Sequence, residues 1–336
     1  MLKLFKPFVS QEAKDNVQRV LNTDFITQGS EVEFFEKELE EKLGKKCLTV
    51  NSGTSALELA YELANIKENS EVIVPVLTCT ATNLPLIHRK AKIVFADTDY
   101  DLNINIEDVK NKITEKTKAI VFVHFGGNDR GLSDLVAICR ERNITLIEDA
   151  AQAIGSTYWG QADFTAVSLQ AIKTITSGDG GFLVCKRNED YIKAKRLRWF
   201  GIDRDDRSRD ITEAGYKYHM NNISAAIGRG NLEYLGELML HIKYLGEIYK
   251  SYGLFSHAWL AGGLTDEYDE LKRELNEAGY ECDQHHFRND KFAVFGGRQK
   301  LLIMDEIENK YFFVPLHYAV TLEDAHRIGK ICKQYI

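Results

Sequence analysis

Three short segments carry residue types that could do chemistry together. In the first, Asn51-Ser52-Gly53-Thr54-Ser55, a glycine flanked by hydroxyls opens onto a helical stretch. Free N–H groups at a helix start make an anion cradle, although the same residues are also ordinary N-caps. The second, Glu148-Asp149-Ala150-Ala151-Gln152, directly follows the apolar run Thr145-Leu146-Ile147. A carboxylate on a strand end can bind a metal, act as a base, hold a protonated ring nitrogen, or simply cap the next helix. The third runs from Ser168 through Lys173 to Gly178-Asp179-Gly180-Gly181. Its lysine is either a reactive amine or an exposed residue of a plain hairpin turn. Taken one at a time, each segment reads as structural.

Together they meet the needs of one cofactor, pyridoxal 5'-phosphate (PLP). PLP requires a lysine for a Schiff base with its aldehyde, an acid paired with its pyridinium nitrogen, and a phosphate cradle. The acid matters electronically, because a protonated ring accepts the electron pair released when a substrate Cα–H bond breaks. The lysine must also reach a neutral amine state, which a desolvated or cation-flanked position favours.

The elements that would position these groups follow from the periodicity. From about residue 30 to residue 190, helical and strand-like patterns alternate. Ser30 can cap a helix with apolar stripe Val32, Phe35, Leu39 and Leu43, ending at Gly44. Strand candidates are Cys47–Val50, Val72–Pro75, Ile93–Ala96, Ala119–Val123, Thr145–Ile147, Phe164–Leu169 and Gly181–Cys185, with helices at Ala56–Ala64 and Leu132–Arg142. Apolar strands alternating with amphipathic helices predict an α/β fold, a mostly parallel sheet covered on both faces. In such sheets the ligand site lies beyond the carboxyl ends of the strands. After residue 190 the pattern changes to a long helical stretch, Ile223–Tyr252, and strand candidates near Glu281-Cys282 and Tyr311–Val314. The expected division is a large cofactor-binding domain over residues 1–240, including the N-terminal segment, and a smaller α+β domain over 241–336 packed closely against it.

Composition removes several classes. The net charge of −7 argues against a nucleic-acid binder. The basic run Lys193-Ala194-Lys195-Arg196-Leu197-Arg198 reads as a solvated helix face, with contact to an anionic substrate as the alternative. The six cysteines lack any C-x-x-C pair, so neither a metal site nor a disulfide framework is expected. No signal-like start and no apolar run of membrane length occur, which places the expected location in the cytoplasm.

In four ordered motifs the chain resembles the DegT/DnrJ/EryC1/StrS family of sugar aminotransferases, PLP enzymes of the aspartate aminotransferase fold. The motifs are Ile26-Thr27-Gln28-Gly29, Asn51 to Leu57, Glu148 to Ala153, and Ser168-x-x-x-x-Lys173 with its Gly-Asp-Gly-Gly. The resemblance implies that Lys173 is the Schiff-base lysine and proton shuttle, that Asp149 pairs with the pyridine nitrogen, and that Gln152 lies near the ring hydroxyl. Gly53, Thr54 and Ser168 would hold the phosphate. Two positions depart from the family pattern. Cys79 stands at the usually aromatic ring-stacking position, and Lys217, in Gly215-Tyr216-Lys217-Tyr218-His219-Met220, replaces an asparagine that reaches the neighbouring subunit's phosphate. That contact implies a homodimer with shared active sites.

By the same resemblance the amino donor is L-glutamate and the acceptor a nucleotide-linked keto sugar, expected to be a 4-keto-6-deoxyhexose. Thr27, Gln28, Arg198, Arg204, His285 and Arg288 are the candidate substrate contacts, with His286 beside them, although each of these arginines and histidines taken alone reads as a surface or packing residue. Family members with histidine at the lysine position are dehydratases, so Lys173 favours transamination. A transaminase of a cyclitol or other non-nucleotide ketone, and a non-catalytic regulatory relative, are the alternatives.

Overall fold

The computed structural model describes residues 1–336 except 157 and 204–209. Strands β1 (Cys47–Val50), β2 (Glu71–Pro75), β3 (Leu77–Thr78), β4 (Lys92–Ala96), β5 (Thr117–Val123), β6 (Thr145–Asp149), β7 (Phe164–Ser168) and β8 (Gly181–Cys185) precede residue 186, and all of them but β3 form one sheet. Its order is β1-β8-β7-β6-β5-β2-β4, and only β8 runs against the others. The strands are almost wholly buried, which explains their continuous apolar runs. The connection from β7 to antiparallel β8, residues 169–180, carries no helix that could serve as a parallel crossover and ends in the turn Gly178–Gly180.

The later segment carries β9 (Phe255–Ser256), β10 (Ala261–Leu264), β11 (Phe287–Arg288) and β12 (Tyr311–Val314). Strands β9, β10 and β12 form a small antiparallel sheet, and β11 pairs with β3. That pairing ties the C-terminal segment to the mouth of the large sheet. Trp259, Leu260, Met304 and Phe313 share one core cluster with Val74, Val121 and Ile147 of the large sheet.

Three local expectations are revised. The stretch Ile223–Tyr252 is two helices, Asn222–Leu232 and Leu235–Ser251, broken at Glu233-Tyr234. Residue 240 falls inside the second. Its first half (Leu235, Leu238) packs in one cluster and its second half (Ile242, Leu245, Tyr249) in another. No ladder forms at Glu281-Cys282, where only single bridges occur, Leu2 to Tyr280 and Asp283 to Phe313. Helix Ser30–Leu43 has Gly29, not Ser30, at its cap, and ends at a left-handed Gly44 as its sequence suggests. A helix at Gln11–Leu21, not anticipated, is capped by the Ser10 hydroxyl accepting from Ala13 N. None of the described helices is long and apolar enough to cross a membrane.

Candidate active site

The shared direction of β1, β7 and β6 brings their C-terminal ends to one edge. Beyond β1, the helix Gly53–Leu63 begins under a cap in which Ser52 Oγ accepts from Ser55 N at 3.0 Å. Gly53 packs against Ser168 at the end of β7: a Cβ there would lie 2.8 Å from the serine Cβ. A Cβ on Gly181 would lie 2.4 Å from Val167 O and 2.8 Å from Gly53 N, so this seam is closed to any side chain. The Gly53 and Thr54 N–H groups find no acceptor among the described residues. With Thr54 exposed and Ser168 nearly buried, the helix start is an open anion cradle.

Asp149 ends β6 and is 5% exposed. Its Oδ2 accepts from Thr82 Oγ1 at 2.7 Å and its Oδ1 from Ala151 N at 3.1 Å. Thr82 in turn hydrogen-bonds Thr78 Oγ1 at 2.9 Å, which fixes the carboxylate's orientation. Burial raises the Asp149 pKa above the ordinary range, opposed by the Thr82 hydrogen bond, the Ala151 N–H and the Lys173 charge. A carboxylate buried without a matched cation is a place where a cationic ligand gains the most.

Lys173 lies in the turn after β7, half-buried rather than exposed, with Nζ 3.9 Å from the centre of the Trp259 ring. Burial lowers its pKa to about 8, against the pull of Asp149 and Cys79. Cys79 caps the helix Thr80–His88 and is electrostatically coupled to both Asp149 and Lys173, so it belongs to the same cluster. Burial pushes its thiol upward, and it stays protonated.

The loop after Asp149 places Gln152, whose Oε1 accepts from Gly126 N at 2.6 Å and whose Nε2 donates to His286 Nε2 at 2.9 Å. His285 packs its ring at 3.9 Å from His286 and 5.4 Å from Trp259. Burial and the Lys173 charge hold His285 down to about 4, so it is neutral at physiological pH, and its buried Nε2 has no hydrogen-bond partner. Phe5 completes the wall, stacked on Trp259 at 4.7 Å.

Trp259, Phe5 and Thr82 were not singled out from the sequence, because contacts over such separations leave no local signal. The Glu148–His124 pair was missed as well. Both side chains are fully buried and 2.8 Å apart, and Glu148 also accepts N–H bonds from Gly160, Gln161 and Ala162. Strand alternation turns Glu148 away from Asp149, so it anchors the loop into β7 while its neighbour faces the site.

Two of the candidate substrate contacts sit in buried ion pairs. Arg198 is 3% exposed and donates to Glu36 Oε1 (2.5 Å) and Thr49 O (2.7 Å). Arg288 is fully buried, bidentate on Asp290 at 2.7 Å through both bonds and paired with Asp305. Both guanidinium groups are committed to structure and offer a ligand little. We expect Arg288→Met to cost about 3–5 kcal/mol in urea unfolding, because it strands two carboxylates, one of them buried, with KM values of the remaining folded enzyme unchanged. Arg204 lies outside the described residues. Thr27 is exposed and Gln28 buried, in a loop held by Asn222 (N to Thr27 O, 3.1 Å; Oδ1 from Gly29 N, 2.9 Å). Lys217 is exposed, while Tyr216 and Tyr218 on either side stack on each other at 4.7 Å.

Known proteins share both the sequence and the fold. GDP-perosamine synthase of Escherichia coli O157:H7 is 31% identical over 82% of this chain and 81% of that protein. UDP-4-amino-4,6-dideoxy-N-acetyl-beta-L-altrosamine transaminase of Campylobacter jejuni (strain 81-176) is 28% identical over 94% and 93%. The crystal structure of sugar aminotransferase CalS13 from Micromonospora echinospora superimposes with a TM-score of 0.93 at 28% identity, covering 99% of this chain and all of that one. Residues 7–254 match the family's own sequence pattern, and on that match, joined to the fold, the chain belongs to the DegT/DnrJ/EryC1/StrS aminotransferase family.

Proposed function

We propose that this protein is a PLP-dependent transaminase that moves the amino group of L-glutamate to a nucleotide-linked keto sugar, a 4-keto-6-deoxyhexose, yielding an amino sugar for surface glycans. The observation that carries the reading is the pair of Lys173, an amine depressed to about 8, and Asp149, a buried carboxylate with no cation of its own, at one strand edge beside an open anion cradle. These are the three things PLP requires, and the fit is supported at each point: N–H groups of Gly53 and Thr54 with Ser168 for the phosphate, Asp149 for the ring nitrogen, and Gln152 beside the ring.

When bound, PLP supplies the sink for the electron pair left on the substrate carbon. The protein's own groups do the rest. Thr82 holds Asp149 so that its charge keeps the ring nitrogen protonated. Lys173 Nζ, neutral as a free amine, would take the proton from glutamate Cα and redeliver it, and would move a proton in the opposite sense when the keto sugar is the acceptor. Trp259, Phe5 and the neutral His285 keep bulk water from Lys173, and the unpartnered His285 Nε2 is available to accept from a sugar hydroxyl.

Lys217 extends the reading to a homodimer. Its flanking tyrosines stack together, and alternation puts the exposed lysine on the opposite side of the segment, where it would be free to meet the phosphate of a second copy. In the test, glutamate alone should shift the absorbance of the PLP-loaded protein and release one equivalent of 2-oxoglutarate per site. Subsequent UDP-, GDP- or dTDP-linked 4-keto-6-deoxyhexose should restore the first spectrum and give the amino sugar by mass spectrometry. A spectrum unmoved by glutamate would contradict the proposal.

A further inference from the structure

Gln152 is 6% exposed, in the loop that follows Asp149, and the orientation of its amide is fixed by its neighbours. A backbone N–H can only donate, so the Gly126 N–H at 2.6 Å makes Oε1 the acceptor and leaves Nε2 at the other end of the amide. That nitrogen lies 2.9 Å from His286 Nε2. An amide nitrogen donates and does not accept, so the ring nitrogen facing it must accept, and the His286 hydrogen sits on Nδ1. Burial lowers the His286 pKa well below its ordinary value, with His285 and Lys173 adding to the effect, which agrees with a neutral ring. One of the two Gln152 amide hydrogens is thereby committed to His286. The other meets no acceptor among the described residues.

Both partners of Gln152 are presented by left-handed backbone. Gly126 has φ +65°, and a Cβ there would lie 2.9 Å from the Leu260 Cβ, so a side chain at this position would displace the N–H that Gln152 uses. His286 has φ +66°, a conformation that residues with a Cβ seldom adopt. Tyr311, fully buried, donates its hydroxyl to His286 O at 2.9 Å and holds the backbone there. Such backbone persists only where its surroundings over-determine it, and here it sets a ring nitrogen against the Gln152 amide.

We propose that His286 is a positioning residue for the coenzyme: by taking one N–H of Gln152 it aims the other at the ring hydroxyl oxygen of PLP. The proposal rests on the PLP reading, and its test separates the two. PLP affinity is measured by equilibrium dialysis in wild type, His286→Phe, His286→Gln, Gln152→Ala and the double variant His286→Phe/Gln152→Ala. Phe and Gln meet the same backbone constraint at residue 286, but only Gln returns an acceptor near the place of Nε2, so a difference between them reports the hydrogen bond and not the fold. The expected result is roughly fivefold weaker PLP binding in His286→Phe, as for loss of one neutral hydrogen bond, and near-wild-type binding in His286→Gln. The double variant should bind no worse than Gln152→Ala, because His286 acts through that residue. A PLP analogue with hydrogen in place of the ring hydroxyl should bind wild type and His286→Phe alike. A donor on the ring oxygen draws off charge that otherwise holds a proton on the Lys173 nitrogen. The pH midpoint of the visible band of the PLP-loaded protein should therefore move upward in His286→Phe, by about one unit. Wild-type affinity and midpoint in His286→Phe would overturn the proposal, as would an equal loss in His286→Gln, a fully additive loss in the double variant, or the same loss with the analogue. A wild type that shows this dependence on His286 but no spectral response to glutamate would overturn the transaminase reading alone. One that takes up no PLP would overturn both.

Discussion

Lys173→Ala is expected to lower the glutamate half-reaction by about 10⁴-fold, the upper range for one general acid–base group, with further loss from the missing covalent anchor. The substitution should not destabilise the cofactor-free fold through electrostatics. A lysine whose pKa falls from 10.5 to about 8 on burial opposes folding while it is charged. The sign follows directly: the penalty is full below pH 8, shrinks as pH rises from about 8 to 10.5, and is absent above. Cofactor-free wild type should therefore gain stability with pH over that window, and Lys173→Ala should not show this gain. The same shift predicts that PLP uptake, followed by absorbance, quickens as pH rises through about 8, because only the neutral amine attacks an aldehyde. A variant retaining a tenth of wild-type turnover would exclude Lys173 from the chemistry.

The second large effect is expected at Asp149. Asp149→Asn keeps the size and the Thr82 contact but removes the charge. Leaving a buried ring cation without its partner costs about 3–5 kcal/mol, so PLP affinity or the rate of Cα deprotonation should fall by about 10²–10⁴-fold. Equilibrium dialysis and the primary isotope effect with deuterated glutamate separate the two losses. Retention of both within threefold would mean that the carboxylate serves only as the acceptor of the Thr82 and Ala151 bonds.

The mostly parallel sheet was legible because buried strands must be continuously apolar, and all seven of its strands lie where that pattern puts them, each within two residues at its ends. The catalytic-type residues were legible because they cluster at strand ends in short motifs. The tertiary partners were not. Arg198 and Arg288 look like anion-binding residues in sequence, yet their fate depends on Glu36, Asp290 and Asp305, which only folding brings to them. Trp259 reaches Lys173 from 86 residues further along the chain, and Phe5 stacks on Trp259 from near its start. The break at Glu233-Tyr234 was hidden because both flanking stretches are apolar at helical spacing, and no glycine or proline stands at the junction itself.

All of these expectations hang on a covalent bond between one side chain and the coenzyme. Borohydride reduction of the PLP-loaded protein, followed by proteolysis and peptide mass spectrometry, measures that bond directly. The predicted result is a stable pyridoxyl adduct on Lys173 at about one per chain, and none in Lys173→Ala. An adduct on another lysine at that stoichiometry, or no adduct in a protein saturated with PLP, would contradict it.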